Sequence, residues 1–301
     1  MMEPIDLRSI RNAKWINRLD ELRQSEDNLE TTHQIQGARQ IIAEIDTPAS
    51  PTEVTLLADA LELAVIGHCN QNETSGACQL AEQTTELIYE YDPNRSLRWR
   101  RVGRAPRSLA AIRAARVYAQ AIELDGDPDD AIHRLLALHL RLRQNPELGD
   151  GQPLGTGPDS LRVLRCVLSS VKREGSHASR NFADFARQQG DGLLDGLVDG
   201  FPEDCASYLH RAALERRIRQ SAGAQREAAE LLRRSLPLRR DTVRDRRSRG
   251  MAEGDLLVLR GEREAGAELL TRTVENFKPD LIRHHESAQQ ILVERDLLRA
   301  A

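Results

Sequence analysis

The chain has 301 residues, of which 40% are hydrophobic, 3% aromatic and 30% charged, with a net charge of −4. That length serves one large core, two ordinary domains or a stack of repeats, and apolar residues recurring at helical spacing exclude a disordered chain. The scarcity of aromatics argues against a β-sandwich and leaves few platforms on which bases or sugars would stack.

Residues 5–25 read as an amphipathic helix with Ile5, Ile10, Trp15, Ile16, Leu19 and Leu22 mostly on one side. Trp15 is expected to pack as a cap on the first hairpin, the alternative being an exposed anchor for a partner. A second helix, 28–45, ends at the TPASP breaker with Pro48 and Pro51, and a third opens at Thr52 and Glu53. Its run VTLLADALELAVIG is apolar enough to be buried on more than one face. The next helix lies in GACQLAEQTTELIYEYDP, starting at Gly76, and an Arg-rich passage separates it from SLAAIRAARVYAQAIELDGDP. After the GDPDD turn another helix carries Ile132, Leu135, Leu136, Leu138 and Leu142. The Gly/Pro-rich stretch 145–158 is the expected linker between helical regions at 1–144 and 159–301. Two helices follow, at 159–174 and 177–189, and then GDGLLDGLVDGFPED, where each Gly should weaken a helix by about 1 kcal/mol. Helices beginning near Gly223 and Gly261 and a closing helix at 279–300 complete the chain.

Four of these segments share a spacing. Gly76, Ala81 and Pro93 stand where a repeat places a turn Gly, a small residue and a closing Pro, with Thr85 and Ile88 in the bulky and second small slots. Ala114, Tyr118 and Ala121 fill the same slots in the next copy, ahead of an Ile-Glu-Leu-Asp ending. Gly223 precedes Ala228, Leu232 and Ser235, and Gly261 precedes Gly266, Leu270 and Thr273. Trp99 to Gly103 copies a first-helix signature, although Pro106 follows too soon for a full helix. In this pattern the chain resembles the tetratricopeptide-repeat family over about half its length, because small residues at such points let two helices of a hairpin approach closely. The resemblance implies an all-α fold of antiparallel helix pairs stacked as an α-solenoid, a right-handed superhelix whose groove binds a protein or peptide. It implies a non-catalytic scaffold or regulatory adaptor with no cofactor, in which Ala114 and Tyr118 belong to the packing.

Catalytic and metal-binding patterns are sparse. His284, His285 and Glu286 are adjacent, so the two imidazoles point about 100° apart and do not chelate one ion as His residues at i and i+4 do. Asp191, Asp195 and Asp199 fall four apart and, on a helix, would offer three carboxylates to a hard cation or to water. A metal-dependent helical enzyme is therefore a third reading, without a phosphate-cradling loop or a Gly-x-Ser-x-Gly elbow to support it. The four cysteines lack the paired spacing of a disulfide framework or zinc knuckle and are expected to be free thiols. No basic segment followed by an apolar core opens the sequence, and no run approaches the roughly 18 apolar residues of a membrane helix. A cytoplasmic protein without a membrane partner is expected.

The arginines are the stronger functional signal. Residues 1–90 carry sixteen Asp and Glu against six Lys and Arg, whereas 93–122 holds eight Arg and no acid and 211–249 holds thirteen Arg against five acids. Forty Arg stand beside three Lys, a bias that a GC-rich genome explains. Guanidinium forks suit carboxylates and phosphates, so the candidate partner-binding residues are Arg95, Arg98, Trp99, Arg101 and Arg104 in the first block and Arg226, Arg233, Arg234, Arg239 and Arg240 in the second. An acidic protein or peptide is the leading partner. Nucleic acid is the alternative, and pairing with the chain's own acids or plain solvation is the third.

Overall fold

Local signals set the helix starts. Ser50 caps one helix by accepting a hydrogen bond from the Glu53 backbone N–H at 3.2 Å, while Glu53 Oε2 reaches back to the Ala49 N–H at 2.6 Å and Pro51 occupies the first turn. Ser221 and Thr242 cap two later helices through the N–H groups of Ala224 and Asp245. A computed structural model describes residues 7–27, 30–71, 73–91, 108–144, 157–171, 177–218 and 221–275. Among them are twelve α-helices and no strand: α1 (Leu7–Asp27), α2 (Thr31–Glu44), α3 (Pro51–Asn70), α4 (Thr74–Tyr91), α5 (Leu109–Asp125), α6 (Pro128–Gln144), α7 (Gly157–Ser170), α8 (His177–Leu197), α9 (Pro202–Ile218), α10 (Ala222–Ser235), α11 (Val243–Leu259) and α12 (Arg263–Glu275). A 3₁₀ turn, Leu236–Leu238, joins α10 to the segment before α11. The protein is all-α, and its helices pack mainly on their neighbours in sequence.

Two compact units are present, Met1–Ala121 and Ile122–Ala301. In the first, Trp15, Leu19 and Leu22 of α1 meet Ile35, Ala38 and Ile41 of α2, and α3 buries Leu57, Ala60, Leu61 and Ala64. As expected, α3 is buried on more than one face, because it packs against α1, α2 and α4. Trp15 is a packed residue, 1% exposed, and its indole N–H donates to Glu44 Oε2 at 2.9 Å. Ile10 and Ile16, grouped with it in the sequence, instead face solvent.

The second unit is built the same way, with α7 touching α6, α8 and α9, and α11 lying along α12. Here the Gly-rich stretch departs from expectation, since α8 runs unbroken past Gly190 and Gly192 to Leu197. A Cβ at Gly190 would lie 2.3 Å from the Tyr208 ring of α9, and the Tyr208 hydroxyl donates to the Arg187 carbonyl at 3.1 Å. Glycine therefore admits an aromatic ring onto the helix backbone, and that contact outweighs the propensity cost of about 1 kcal/mol.

Most residues read as repeat slots are ones the helices bury, with Thr273 only half-buried. Ala81, Thr85, Ile88, Ala114, Ala121, Ala228, Leu232, Ser235 and Leu270 are all buried, and Gly266 is buried against α11. Tyr118 is half-buried, because its hydroxyl reaches out to Glu82 at 3.1 Å. Gly261 follows α11 with a positive φ of 89°, as a turn glycine should, whereas Gly76 and Gly223 sit in the first turns of α4 and α10. The linker stretch lies outside the described residues up to 156, and its last two residues, Gly157 and Pro158, open α7. The expected helix at 279–300 also lies outside them.

Candidate functional site: an arginine-lined groove

Two sets of arginines stand out among those described in the second unit. The first is turned toward acids on other helices. Arg187 of α8 places Nε 3.2 Å from Glu215 on α9 and Nη1 3.1 Å from Glu227 on α10, and also pairs with Asp184 one turn earlier. Arg216 joins Glu227 at 2.8 Å, and Arg217 of α9 reaches the buried Asp255 of α11 at 2.8 Å. Arg162 of α7 grips Asp204 of α9 with two hydrogen bonds of 2.9 and 2.8 Å. These pairs link α7 to α9, α8 to α9 and α10, and α9 to α10 and α11.

Two residues named from the sequence belong to this population. Arg239 is 8% exposed, stands 4.0 Å from Asp245 of α11, donates to His210 Nδ1 at 3.1 Å, and offers its carbonyl to Arg249 Nη2 at 3.0 Å. Arg240 is exposed but paired with Glu203 of α9. Arg234 stays outside the ion pairs among the described residues, and its charge acts on Asp191 of α8.

The second population lines a groove. Between α10 and α11 lies a cavity of about 440 Å³ walled by Ala222, Gln225, Arg226, Ala229, Glu230 and Arg233 on one side and Leu256, Leu259 and Arg260 on the other. Helical spacing explains the α10 wall, since residues three and four apart share one face. The floor is apolar and the rim is cationic. Arg226 and Arg260 form no ion pair among the described residues. Arg233 is held in a two-pronged bond by Glu230, with Nε to Oε2 at 2.9 Å and Nη2 to Oε1 at 2.7 Å. That bond holds the Glu230 carboxyl below its usual pKa and raises Arg233. Sequence reasoning found Arg226 and Arg233 but missed Arg260, which stands alone at the end of α11 ahead of Gly261, outside any run of arginines.

The other candidates are placed as follows. Arg95, Arg98, Trp99, Arg101 and Arg104 lie outside the described residues, as do His284, His285 and Glu286. The aspartate series does not share one helix face, because α8 ends at Leu197 and leaves Asp199 in the following turn. Asp191 accepts a hydrogen bond from the Tyr208 hydroxyl at 3.3 Å, and desolvation raises its pKa against the pull of that bond and of Arg187 and Arg234. Among the described residues no group of three His, Cys, Asp or Glu side chains is arranged to hold a metal ion. All four cysteines are free thiols, with Cys69, Cys166 and Cys205 buried. No helix among the described residues is long and apolar enough to cross a membrane. No protein-family model matches the chain, and no curated protein matches its sequence.

Proposed function

We propose that the chain is a non-catalytic scaffold that binds a protein or peptide, built from tetratricopeptide-like helix pairs in an α-solenoid. The observation that carries this reading is the division of labour among its arginines. Arg162, Arg187, Arg216 and Arg217 of the second unit pair with acids on another helix, whereas Arg226 and Arg260 keep uncommitted charges over the apolar groove between α10 and α11. The buried small slots at Ala81, Ala114, Ala228 and Gly266 support the repeat-like stacking, and the chain-neighbour packing of the helices agrees with it.

The test is affinity capture from the source lysate with the full chain, with and without nuclease, read by mass spectrometry. The expected result is a discrete protein partner that survives nuclease and is lost when Arg226 and Arg260 are both changed to Glu. Partners that disappear on digestion would replace this reading with a nucleic-acid-associated role, which would also carry a steep salt dependence.

A further inference from the structure

We propose that the α10–α11 groove accepts an acidic amphipathic helix of a partner protein, and that Glu230 competes with it for Arg233. This rests on the scaffold reading and names the occupant of its groove. Arg226 and Arg233 stand seven residues apart on α10, about 10 Å along the helix axis. A second helix laid along α10 has the same rise, so carboxylates at its positions i and i+7 meet both guanidinium groups. Position i+3 then falls between them, over Ala229, where a methyl side chain leaves room and Leu256 and Leu259 supply the apolar wall. Arg260 faces the occupant from the α11 side. The cavity of about 440 Å³ receives such an anchoring side chain.

The same geometry disfavours a nucleic-acid backbone. Its phosphates are uniformly anionic and would meet Glu230, which lines the groove beside the arginines, and no aromatic side chain lines it for bases to stack on. A peptide avoids both costs by placing its acids only where the arginines stand. Arg233 differs from Arg226 and Arg260 because its fork is already occupied by Glu230. An incoming carboxylate must displace that side chain. The pair lies in solvent, so displacement is reversible and cheap, and the chain's own acid sets a threshold that a single stray carboxylate does not cross.

The test is fluorescence anisotropy with the full chain and a labelled helix-forming peptide of about four turns, carrying Glu, Leu and Glu at i, i+3 and i+7. Controls are the same peptide with both Glu as Gln, the same peptide with Leu as Ser, and an oligothymidine of matching length. The acidic peptide should bind and both altered peptides should bind weakly. Arg226→Glu with Arg260→Glu should weaken binding at least about tenfold, and Glu230→Gln should tighten it about two- to fivefold. All these positions are exposed or on the groove rim, and unchanged far-ultraviolet dichroism checks the fold of each variant. Equal binding of oligothymidine, indifference to the Arg reversals, or weaker binding by Glu230→Gln would each overturn the inference. Absence of peptide binding, with a nuclease-resistant lysate partner captured by the unaltered chain and lost by the Arg226→Glu/Arg260→Glu chain, would overturn this occupant and leave the scaffold reading standing. Absence of any protein partner would overturn both.

Discussion

Lowering the pH from 7.5 to 5 should loosen the second unit through one buried imidazole. His139 of α6 is 2% exposed, its ring stands edge-on to Phe185 of α8 at 5.8 Å, and neither ring nitrogen has a hydrogen-bond partner among the described residues. Burial, reinforced by the charge of Arg143, lowers its pKa from 6.5 to about 4. The unfolded chain thus takes up this proton near pH 6.5 and the folded chain only near pH 4. The contribution of this group is complete above pH 6.5 and is lost as pH falls toward 4. The loss amounts to about 2 kcal/mol by pH 5 and about 3 kcal/mol at the acidic end. His139→Leu removes the titration and the unpaired nitrogens while keeping a similar volume. With two compact units a single unfolding midpoint is poorly defined, so the readout is hydrogen exchange of α6 and α8 peptides, corrected for intrinsic rates. The Leu variant should be better protected at both pH values, with its advantage about 2 kcal/mol larger at pH 5. An advantage that does not change with pH would refute the reasoning.

Four further outcomes follow from local geometry. Gly266→Ala places a Cβ 2.8 Å from the Gly254 carbonyl and 2.9 Å from the Val258 N, so it should destabilise the α11–α12 pair by about 1–3 kcal/mol, seen as lost protection in those helices. Gly192→Ala, with nothing within 4 Å, should instead raise α8 stability by about 0.5–1 kcal/mol in the same measurement. Ser50→Ala removes the α3 cap and should cost about 1 kcal/mol, read in a Trp99→Phe background from the fluorescence of buried Trp15 during urea unfolding. Burial pushes the Cys205 thiol up to about 11, so alkylation under native conditions should label the half-buried Cys78 and spare Cys205 and Cys166 until the chain is unfolded.

Much of the fold was legible because helix packing leaves a local trace. A small residue at Ala81, Ala114, Ala228 or Gly266 signals close approach whatever the partner is, and burial at all four follows from that rule. The prolines at 48 and 51 likewise fixed a boundary without tertiary knowledge, and the structure adds Ser50 as the cap just before the expected start at Thr52 and Glu53. The continuation of α8 was not legible, because its cause is Tyr208, eighteen residues beyond Gly190 and on another helix. Propensity reads the cost of each glycine and cannot see the ring that makes it necessary. The site was half legible for the same reason. Composition gave the arginine runs, but Arg217 is committed by Asp255 and Arg240 by Glu203, partners 38 and 37 residues away.

This separation by distant partners also explains how an arginine-rich, aromatic-poor chain combines stability with an open cationic groove. With few large side chains to specify which helix meets which, α9 is keyed to its neighbours by ion pairs: Arg162 to Asp204, Arg187 to Glu215, and Arg217 to Asp255. Each removes a cation from the surface and places it between helices, where losing one partner leaves a charge poorly solvated and costs about 3–5 kcal/mol. The groove arginines obey the opposite condition. Arg226 has Ala222 and Ala229 one turn away on its own face of α10, the carboxylate at its other helical neighbour, Glu230, is held by Arg233, and Arg260 at the α11 end faces the same apolar floor. A single acid at Ala229 would close the groove by pairing both Arg226 and Arg233 at helical spacing. With Glu230 held by Arg233 and only a methyl group at position 229, the charge of Arg226 stays available to another molecule.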